Sequence, residues 1–549
     1  MAHSDVSRLS EAMHKTDVLV VGGGLGGVSA TLAALRLGAD VIVTETLPWL
    51  GGQLTAQGVP LDEGPWAEQL IHSASYHTFR RAIRSYYRRN MPLTEMARAE
   101  VYLNPGQGNI GSLCHEPRVA LAVINDMLAP HVSAGRLKVL HGLAPASVNM
   151  DGDRCRAVIY EAPEGETVTV EARVVIDATE TGVLLPLAHV EHVLGAESRE
   201  TTGELHAIEG PADPTDQQAI TWGMALSYDP DGHHVIEKPS RYETFRDMRL
   251  PFWPGPQFDW TVSNHVTHEP LERPLFAGDT DTPYLFDLWH ARRIAYRRNF
   301  RDGSYPSDIT IANWPQMDYW FNPAITGDAS QDAATVEEAR QLSLSFLYWM
   351  QTEAPRHDGG YGYHGLIPRG DVLGTADGTA MQPYWREGYR IQAEFTVLEQ
   401  HIGCAARPGV EAAEDFADSV GIGAYRIDLH PNSLGNRNTV DIDCFPFQIP
   451  LGALLPVRVQ NLLPACKNIG TTRITNGAYR VHPVEWSIGE ASGTLAALSL
   501  REGMPPRAFR HGEKLANLQA VLKASGVMLE WPRFGALTPR TRTGYRPPA

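Results

Sequence analysis

The chain has 549 residues, 43% hydrophobic and 20% charged, with a formal net charge of −17. That length exceeds one compact core and suits about two to four domains. The acidic balance argues against general binding to nucleic acid or to an anionic membrane, because both need a basic surface.

Residues 1–16 are polar and lack the basic-then-apolar layout of a secretory signal. The apolar stretch Val18–Leu37 has the length of a membrane span, but its glycines between Gly22 and Gly27 would break a lipid-facing helix. The expected location is the cytoplasm. Five scattered cysteines (Cys114, Cys155, Cys404, Cys444 and Cys466) form no CxxC pair. That pattern suits a reducing compartment and speaks against a redox-active disulfide.

The β-branched run Asp17–Val21 reads as a strand buried on both faces. It runs into a GxGxxG turn at Gly22, Gly24 and Gly27, with Leu25 and Gly26 inside it. A helix of small and apolar residues follows to Leu37, near Gly38, and a second strand, Val41–Val43, leads to Glu45 and Thr46. This order of strand, glycine turn, helix, strand and acid is the dinucleotide-binding unit. The glycines allow a tight turn and close approach to a pyrophosphate. The helix N-terminus offers unpaired N–H groups and a positive dipole end, and Glu45 can accept both ribose hydroxyls while repelling a 2′-phosphate.

Gly51, Gly52 and Gln53 then mark a loop passing close to a flat ligand. Helices are expected at Ala67–Arg89 and Pro117–Leu128. The runs Leu137–His141, Arg156–Tyr160 and Thr167–Val170 read as a small three-stranded antiparallel insertion, with turns at Asp151–Gly152 and Glu164–Gly165. The apolar strand from Arg173 ends at Asp177, Ala178 and Thr179 and returns to the first sheet. The segment 190–435 holds most of the tryptophans, with helices expected at Leu285–Phe300 and Thr335–Gln351. Its aromatics suit either a stacking site or a large core, and core packing is the preferred reading. Near the C-terminus, Asn461–Gly470 precedes a helix over Val484–Leu498 with Pro483 at its start. A last helix is expected at Gly512–Ser525.

Taken together, Val20–Val28, Gly51–Gln57 with Asp62–Glu63, Leu113–Arg118, Asn313–Tyr319, Pro383–Glu387 with Arg390, Asp428–His430 and 461–493 resemble the FAD-dependent oxidoreductase family of glutathione-reductase-like flavoproteins. The resemblance implies an α/β fold: a Rossmann-like FAD-binding domain carrying an inserted α+β substrate domain. The implied divisions are 1–190 and 436–505 for the FAD domain, 191–435 for the insertion, and 506–549 for a C-terminal helix and tail. The implied cofactor contacts are Gly22, Gly24, Leu25, Gly26, Gly27, Glu45, Thr46, Gly51, Gly52, Gln53, Ala178, Thr179, Asn468, Ile469 and Val484. In such proteins the C-terminal helix points its N-terminus at the flavin, where its dipole steadies the reduced ring. The family's usual Arg-Glu-Ser/Thr-Arg-Arg block reads Arg386-Glu-Gly-Tyr-Arg390 here, and Ala178-Thr-Glu-Thr-Gly182 replaces an ATG-type turn.

Oxidation of an alcohol or amine by FAD needs a base for the departing proton and positive charge near the flavin. The candidates are His482, His115, His364, Arg386 and Arg480, with Arg473 and the Asp428–His430 pair beside them. Each has a structural alternative: a His-Pro turn, a helix-cap neighbour, a loop residue, an internal salt bridge or a buried turn. The arginines at 80, 81, 84, 88 and 89, and at 292, 293, 297 and 298, read as solvated helix faces or salt-bridged interfaces. No zinc or calcium pattern occurs, so no metal is expected.

The expected function is oxidation of a small polar metabolite, such as an alcohol, an amine, or a sugar-like or natural-product intermediate. The acceptor is oxygen or a redox partner. A flavin monooxygenase is the alternative, although no WxWxIP motif and no Gly-Asp pair before the last helix is present. Structural FAD in a binding protein is a third reading. Oligomeric state stays open, a homo-oligomer included.

Overall fold

The computed structural model describes residues 12–64, 66–162, 165–278 and 287–532. β1 (Ala12–Val21), α1 (Leu25–Arg36) and β2 (Val41–Glu45) form in the expected order. β1 lies inside a seven-stranded sheet with β3 (Leu137–His141), β4 (Ala144–Asp151), β5 (Arg154–Glu161), β6 (Thr167–Asp177) and the strand Leu462–Pro464. The order is β3-β2-β1-β6-β5-β4, and Leu462–Pro464 pairs in parallel with the end of β6. Val18–Val21 pair in parallel with Val41–Thr44 on one side and with Val174–Asp177 on the other. A strand flanked and covered in this way has no wet face, which explains its unbroken apolar run.

Two strand expectations need correction. Leu137–His141 is not part of the antiparallel insertion; it extends the parallel sheet beside β2. The antiparallel meander is β4, β5 and β6, and Thr167–Asp177 is one continuous strand. β4 escaped notice because its residues alternate between exposed and half-buried, leaving no apolar run. Glu164, named in the expected turn, lies outside the described residues.

The helical expectations fare unevenly. Ala67–Arg89 divides into Trp66–Gln69 and Ala74–Asn90, because Ser73 caps the second helix by accepting the Tyr76 N–H at 3.2 Å. Pro117–Ser133, Ala329–Thr352 and Gly512–Ala524 are helices close to their expected ranges. The helix expected at Leu285–Phe300 is absent from its described part, which holds Leu288–Ala291, the strand Arg293–Ala295 and the turn Arg297–Asn299. Arg293 is fully buried and pairs with Asp308 at 2.8 Å, the salt-bridged alternative, while Arg297 and Arg298 are exposed. In the other run, Arg80 and Arg84 are buried salt-bridge partners of Glu63 and Glu68.

A second core forms around Ala329–Thr352 and the antiparallel sheet of Met224–Tyr228, Arg293–Ala295, Ile309–Ala312 and Leu366–Pro368. Trp260, Trp289, Trp314 and Trp349 are buried in it, and Phe346 stacks on Trp349 at 5.5 Å. The tryptophans are therefore core packing in the main.

The chain closes on itself through the helix His482–Glu502, which lies along α1. A methyl group added to Gly489 would sit 2.1 Å from the Gly26 carbonyl, and one on Gly493 2.1 Å from that of Ala30. Only bare backbone permits this approach. Among the described residues no helix is long and apolar enough to cross a membrane.

Candidate active site

The glycine turn is the first half of the site. Gly22 has φ +97°, and a Cβ there would meet the Ala178 carbonyl at 2.4 Å. Gly27 packs its bare Cα on the Gly22 carbonyl, and Gly26 packs on that of Ala465. The Glu45 carboxylate accepts the Gly23 N–H at 2.7 Å and the Leu47 N–H at 2.9 Å. Gly51 donates its N–H to the Gly23 carbonyl at 2.7 Å, which lays the second glycine loop against the first. The Thr46 hydroxyl reaches the Leu143 carbonyl at 3.4 Å. Ala178 and Thr179 continue β6 past the turn: the Ala178 N–H bonds to Val21 O, and the Thr179 N–H to Asp177 Oδ1.

The second half arrives from the C-terminus. Asn468 donates to the Asp177 carbonyl at 3.0 Å; Ile469, next in the chain, and Val484, in the first turn of the helix His482–Glu502, are both buried. From the first turn of His482–Glu502, the Glu485 carboxylate accepts the Gly26 N–H at 3.2 Å. An anion thus sits on an amide at the N-terminus of α1, where unpaired donors and the dipole favour negative charge. Lys467 pairs with Glu180 and stands 3.9 Å from Glu485. Its charge is held far into the protonated range: burial opposes the ammonium, but Cys466, Glu180 and Glu485 together outweigh it. Burial and then Glu180 raise the Glu485 carboxyl against the pull of Lys467.

This part of the structure fits a dinucleotide. The bare Cα atoms of Gly24 and Gly52 face one another, and a Cβ on Gly52 would fall 2.9 Å from Gly24 Cα. Gln53 Oε1, both amide atoms of Gln57, Glu180 Oε1 and His115 Nε2 are buried with no hydrogen-bond partner. Buried polar atoms in that condition are costly unless a ligand or water satisfies them.

Next to it lies a polar cluster. His482 is fully buried; its Nδ1 accepts the Asp62 N–H at 3.1 Å. Burial pushes its pKa down to about 3, with His115 adding to the effect. His115 donates from Nδ1 to the Glu116 carbonyl at 3.1 Å, and burial takes it down to about 4. Both imidazoles are neutral at neutral pH, and the structure brings them together. The Tyr425 hydroxyl donates to Asp62 at 3.1 Å. Arg480 donates to the Tyr384 hydroxyl at 2.9 Å and to Asp428 Oδ2 at 3.1 Å. Arg386 also leans on Tyr384, with its guanidinium 5.1 Å from the ring centre. Its partner is Asp318, at 3.2 Å, rather than the adjacent Glu387. Glu387 instead accepts the Gln218 N–H and lies 3.8 Å from Arg473.

Asp318 is the pivot. It accepts from the Thr221 hydroxyl and, at 2.6 Å, from His430 Nδ1. Burial opposes its charge, but Arg386 and then His430 prevail and hold the carboxyl at about 2. Burial and then Arg386 lower His430 below its ordinary value against the opposing pull of Asp318. The Asp428–His430 pair, read from the sequence as a buried turn rather than a dyad, is a looser contact of 3.9 Å, and the closer carboxylate comes from a strand more than a hundred positions earlier. Asp428 also faces Asp441 directly across the strands Ile427–Leu429 and Val440–Ile442, an arrangement of like charges that weakens a sheet. Arg480 answers the first at 3.1 Å and Arg426 the second at 3.0 Å.

His364 stands apart. It stacks on His233 at 5.3 Å, and its carbonyl accepts the His234 N–H, so its contacts belong to the loop 229–234. Asp62, Asp318, Tyr384, Lys467 and Glu485 lay in segments that carry the family resemblance but were given no site role, and Tyr425 was not singled out. For Asp318 a further signal was a buried aspartate amid aromatics at 313–320, since such a charge demands a partner.

An α/β sheet with a glycine-rich βαβ turn, beside a buried Asp-His-Arg cluster, defines a cofactor-dependent enzyme class. The model of the family described as FAD dependent oxidoreductase matches residues 17–522, and the chain belongs to that family. No curated protein matches the sequence. Among solved structures, a geranylgeranyl bacteriochlorophyll reductase-like protein from Thermoplasma acidophilum is 11% identical, with a TM-score of 0.34, over 94% of this chain and 89% of that one. OxyS anhydrotetracycline hydroxylase from Streptomyces rimosus is 12% identical, with a TM-score of 0.33, over 93% and 66%. L-proline dehydrogenase from P. horikoshii is 14% identical, with a TM-score of 0.17, over 34% of this chain; the match spans 24% of that enzyme.

Proposed function

We propose that the chain oxidises a small polar alcohol or amine, a sugar-like or natural-product intermediate included, with His430 as the base. The observation that supports this reading is the Asp318–His430 hydrogen bond of 2.6 Å beside Arg386 and Arg480. Bound FAD supplies the hydride acceptor, its N5. The groups suited to holding it are Gly22–Gly27, Glu45, Gly51–Gln53, Ala178 and Thr179 from one side, and Asn468, Ile469 and Val484 from the other. A pyrophosphate on the α1 amides would take the place of the Glu485 carboxylate, with Lys467 as its counter-ion.

In this reading Asp318 fixes the tautomer of His430, so that Nδ1 carries the proton and Nε2 takes the one released by the substrate O–H or N–H. Arg386 keeps Asp318 ionised throughout. Arg480 and Tyr384 hold the substrate oxygen or nitrogen near that base, while His482 and His115 stay neutral and keep the flavin side of the pocket from gaining charge. Domain 191–435 serves as the substrate domain, and oxygen or a redox partner reoxidises the flavin. Anaerobic mixing with alcohols, amines and sugar acids should bleach the visible flavin bands. Bleaching only by NADPH, with oxygen appearing in a hydroxylated product, would replace this reading with a monooxygenase.

A further inference from the structure

The polar cluster carries more positive charge than its own carboxylates answer. Arg273, Arg292, Arg386, Arg426 and Arg480 are grouped around Asp62, Asp318, Asp428 and Asp441. Three of the arginines have a carboxylate partner: Arg386 with Asp318, Arg480 with Asp428, and Arg426 with Asp441. Arg292 spends one N–H on the Asn313 carbonyl at 2.7 Å, and its Nε is buried without a partner. Arg273 makes no side-chain hydrogen bond or ion pair among the described residues.

The backbone places Arg273 there firmly. It follows the hairpin of Thr261–Ser263 and Pro270–Glu272, whose turn carries His265. That hairpin is fastened to the strand bearing Asp441: His268 bonds to the Thr439 carbonyl at 2.9 Å, Asn438 to Ser263 at 2.7 Å, and Thr439 to the His265 carbonyl at 3.3 Å. His265 then lies edge-on to His430, with ring centres 6.0 Å apart. Arg273 is half-buried within reach of Arg292 and Arg426, and burial together with those two cations lowers its pKa. Neither Arg273 nor Arg292 has a carboxylate at salt-bridge distance among the described residues, and guanidiniums in that condition suit an anion.

We infer that Arg273 and Arg292 form a subsite for one carboxylate group of the substrate, beside the His430 base. Two guanidiniums without a salt-bridge partner among the described residues match the two oxygens of one carboxylate. The inference rests on the proposed oxidation at this cluster and narrows it to carboxylate-bearing alcohols or amines.

The test uses the full-length, flavin-loaded protein and titration calorimetry with butyrate, butyramide and inorganic phosphate. Butyrate should bind, butyramide should not, and Arg273→Gln should weaken butyrate at least about tenfold, the scale of one charged hydrogen bond of ~1.5 kcal/mol or more. Arg273→Lys should recover part of that loss, which separates charge from folding. Equal binding of acid and amide, unchanged butyrate affinity in Arg273→Gln and in the Arg273→Gln/Arg292→Gln pair, or tighter binding of phosphate would each overturn the subsite. A parallel screen for anaerobic flavin bleaching separates the two ideas. If Arg273-dependent butyrate binding is seen but no hydroxy or amino acid bleaches the flavin, the oxidation reading fails and the subsite stands. If uncharged alcohols bleach it equally in Arg273→Gln and butyrate does not bind, the subsite fails and the oxidation reading stands.

Discussion

Replacing Lys467 with methionine tests the charge balance at the start of α1. Its ammonium, 1% exposed, lies between Glu180 and Glu485, which are 11% and 1% exposed. At the 3.9 Å separation from Glu485, with an effective dielectric of about 20, one such attraction is worth about 4 kcal/mol. Removing one member of a buried ion pair costs about 3–5 kcal/mol, because the other charge is left desolvated. Lys467→Met should therefore destabilise the apoprotein by about that amount in urea unfolding followed by circular dichroism. It should also lower flavin retention on gel filtration, since two carboxylates would then stand uncompensated at the proposed pyrophosphate position. Adding Glu485→Gln to Lys467→Met should restore a large part of both, as neutralising one orphaned carboxylate removes most of the penalty. A loss under about 1 kcal/mol, or a double variant no better than the single one, would show that water already solvates this triad and that the electrostatic account of the turn is wrong.

Four further outcomes are expected. Gly26→Ala places a methyl 1.6 Å from the Ala465 carbonyl, so soluble yield and flavin content should collapse; a yellow, well-folded variant would refute the packing described. Asp318→Asn should lower kcat by about 10²–10⁴-fold and distort its pH profile, with binding of a reduced-product analogue changing far less, as stopped-flow bleaching would report. Glu45→Ala removes the acceptor of the Gly23 and Leu47 N–H groups, and flavin affinity measured by fluorescence should fall; unchanged affinity would exclude Glu45 from the nucleotide site. Burial, then Glu197 and Glu399, push Glu204 up from 4.5 to about 7. A carboxyl raised on folding contributes stability that is present below about pH 4.5 and lost as pH climbs through about 7, a span worth ~3 kcal/mol. Glu204→Gln should flatten the thermal midpoint across that window, and an unaltered slope would contradict the assignment.

What the sequence revealed was local. The βαβ turn could be read because its strand, glycines, helix and acid lie within one short stretch, each dictated by backbone sterics. The return of the C-terminal helix was legible through the resemblance and through Pro483 at its start. The polar cluster was not, since Asp318 and His430 meet across 112 positions and Glu485 and Gly26 across 459. No periodicity links such pairs. Arg292 and its neighbours left a solvated helix face and a salt-bridged interface equally open, and burial of Arg293 on Asp308 within an extended strand selects the second for that residue.

The seam of bare backbone between α1 and the helix His482–Glu502 bears on how the molecule comes into being. During synthesis α1 leaves the ribosome long before Gly489 and Gly493 exist, so its inner surface must wait, uncovered, for almost the whole polypeptide. Contacts of such long range make folding slow and expose apolar intermediates. The nascent chain should lean on chaperones until release. C-terminal truncation upstream of residue 482 should then yield aggregates rather than a smaller flavoprotein.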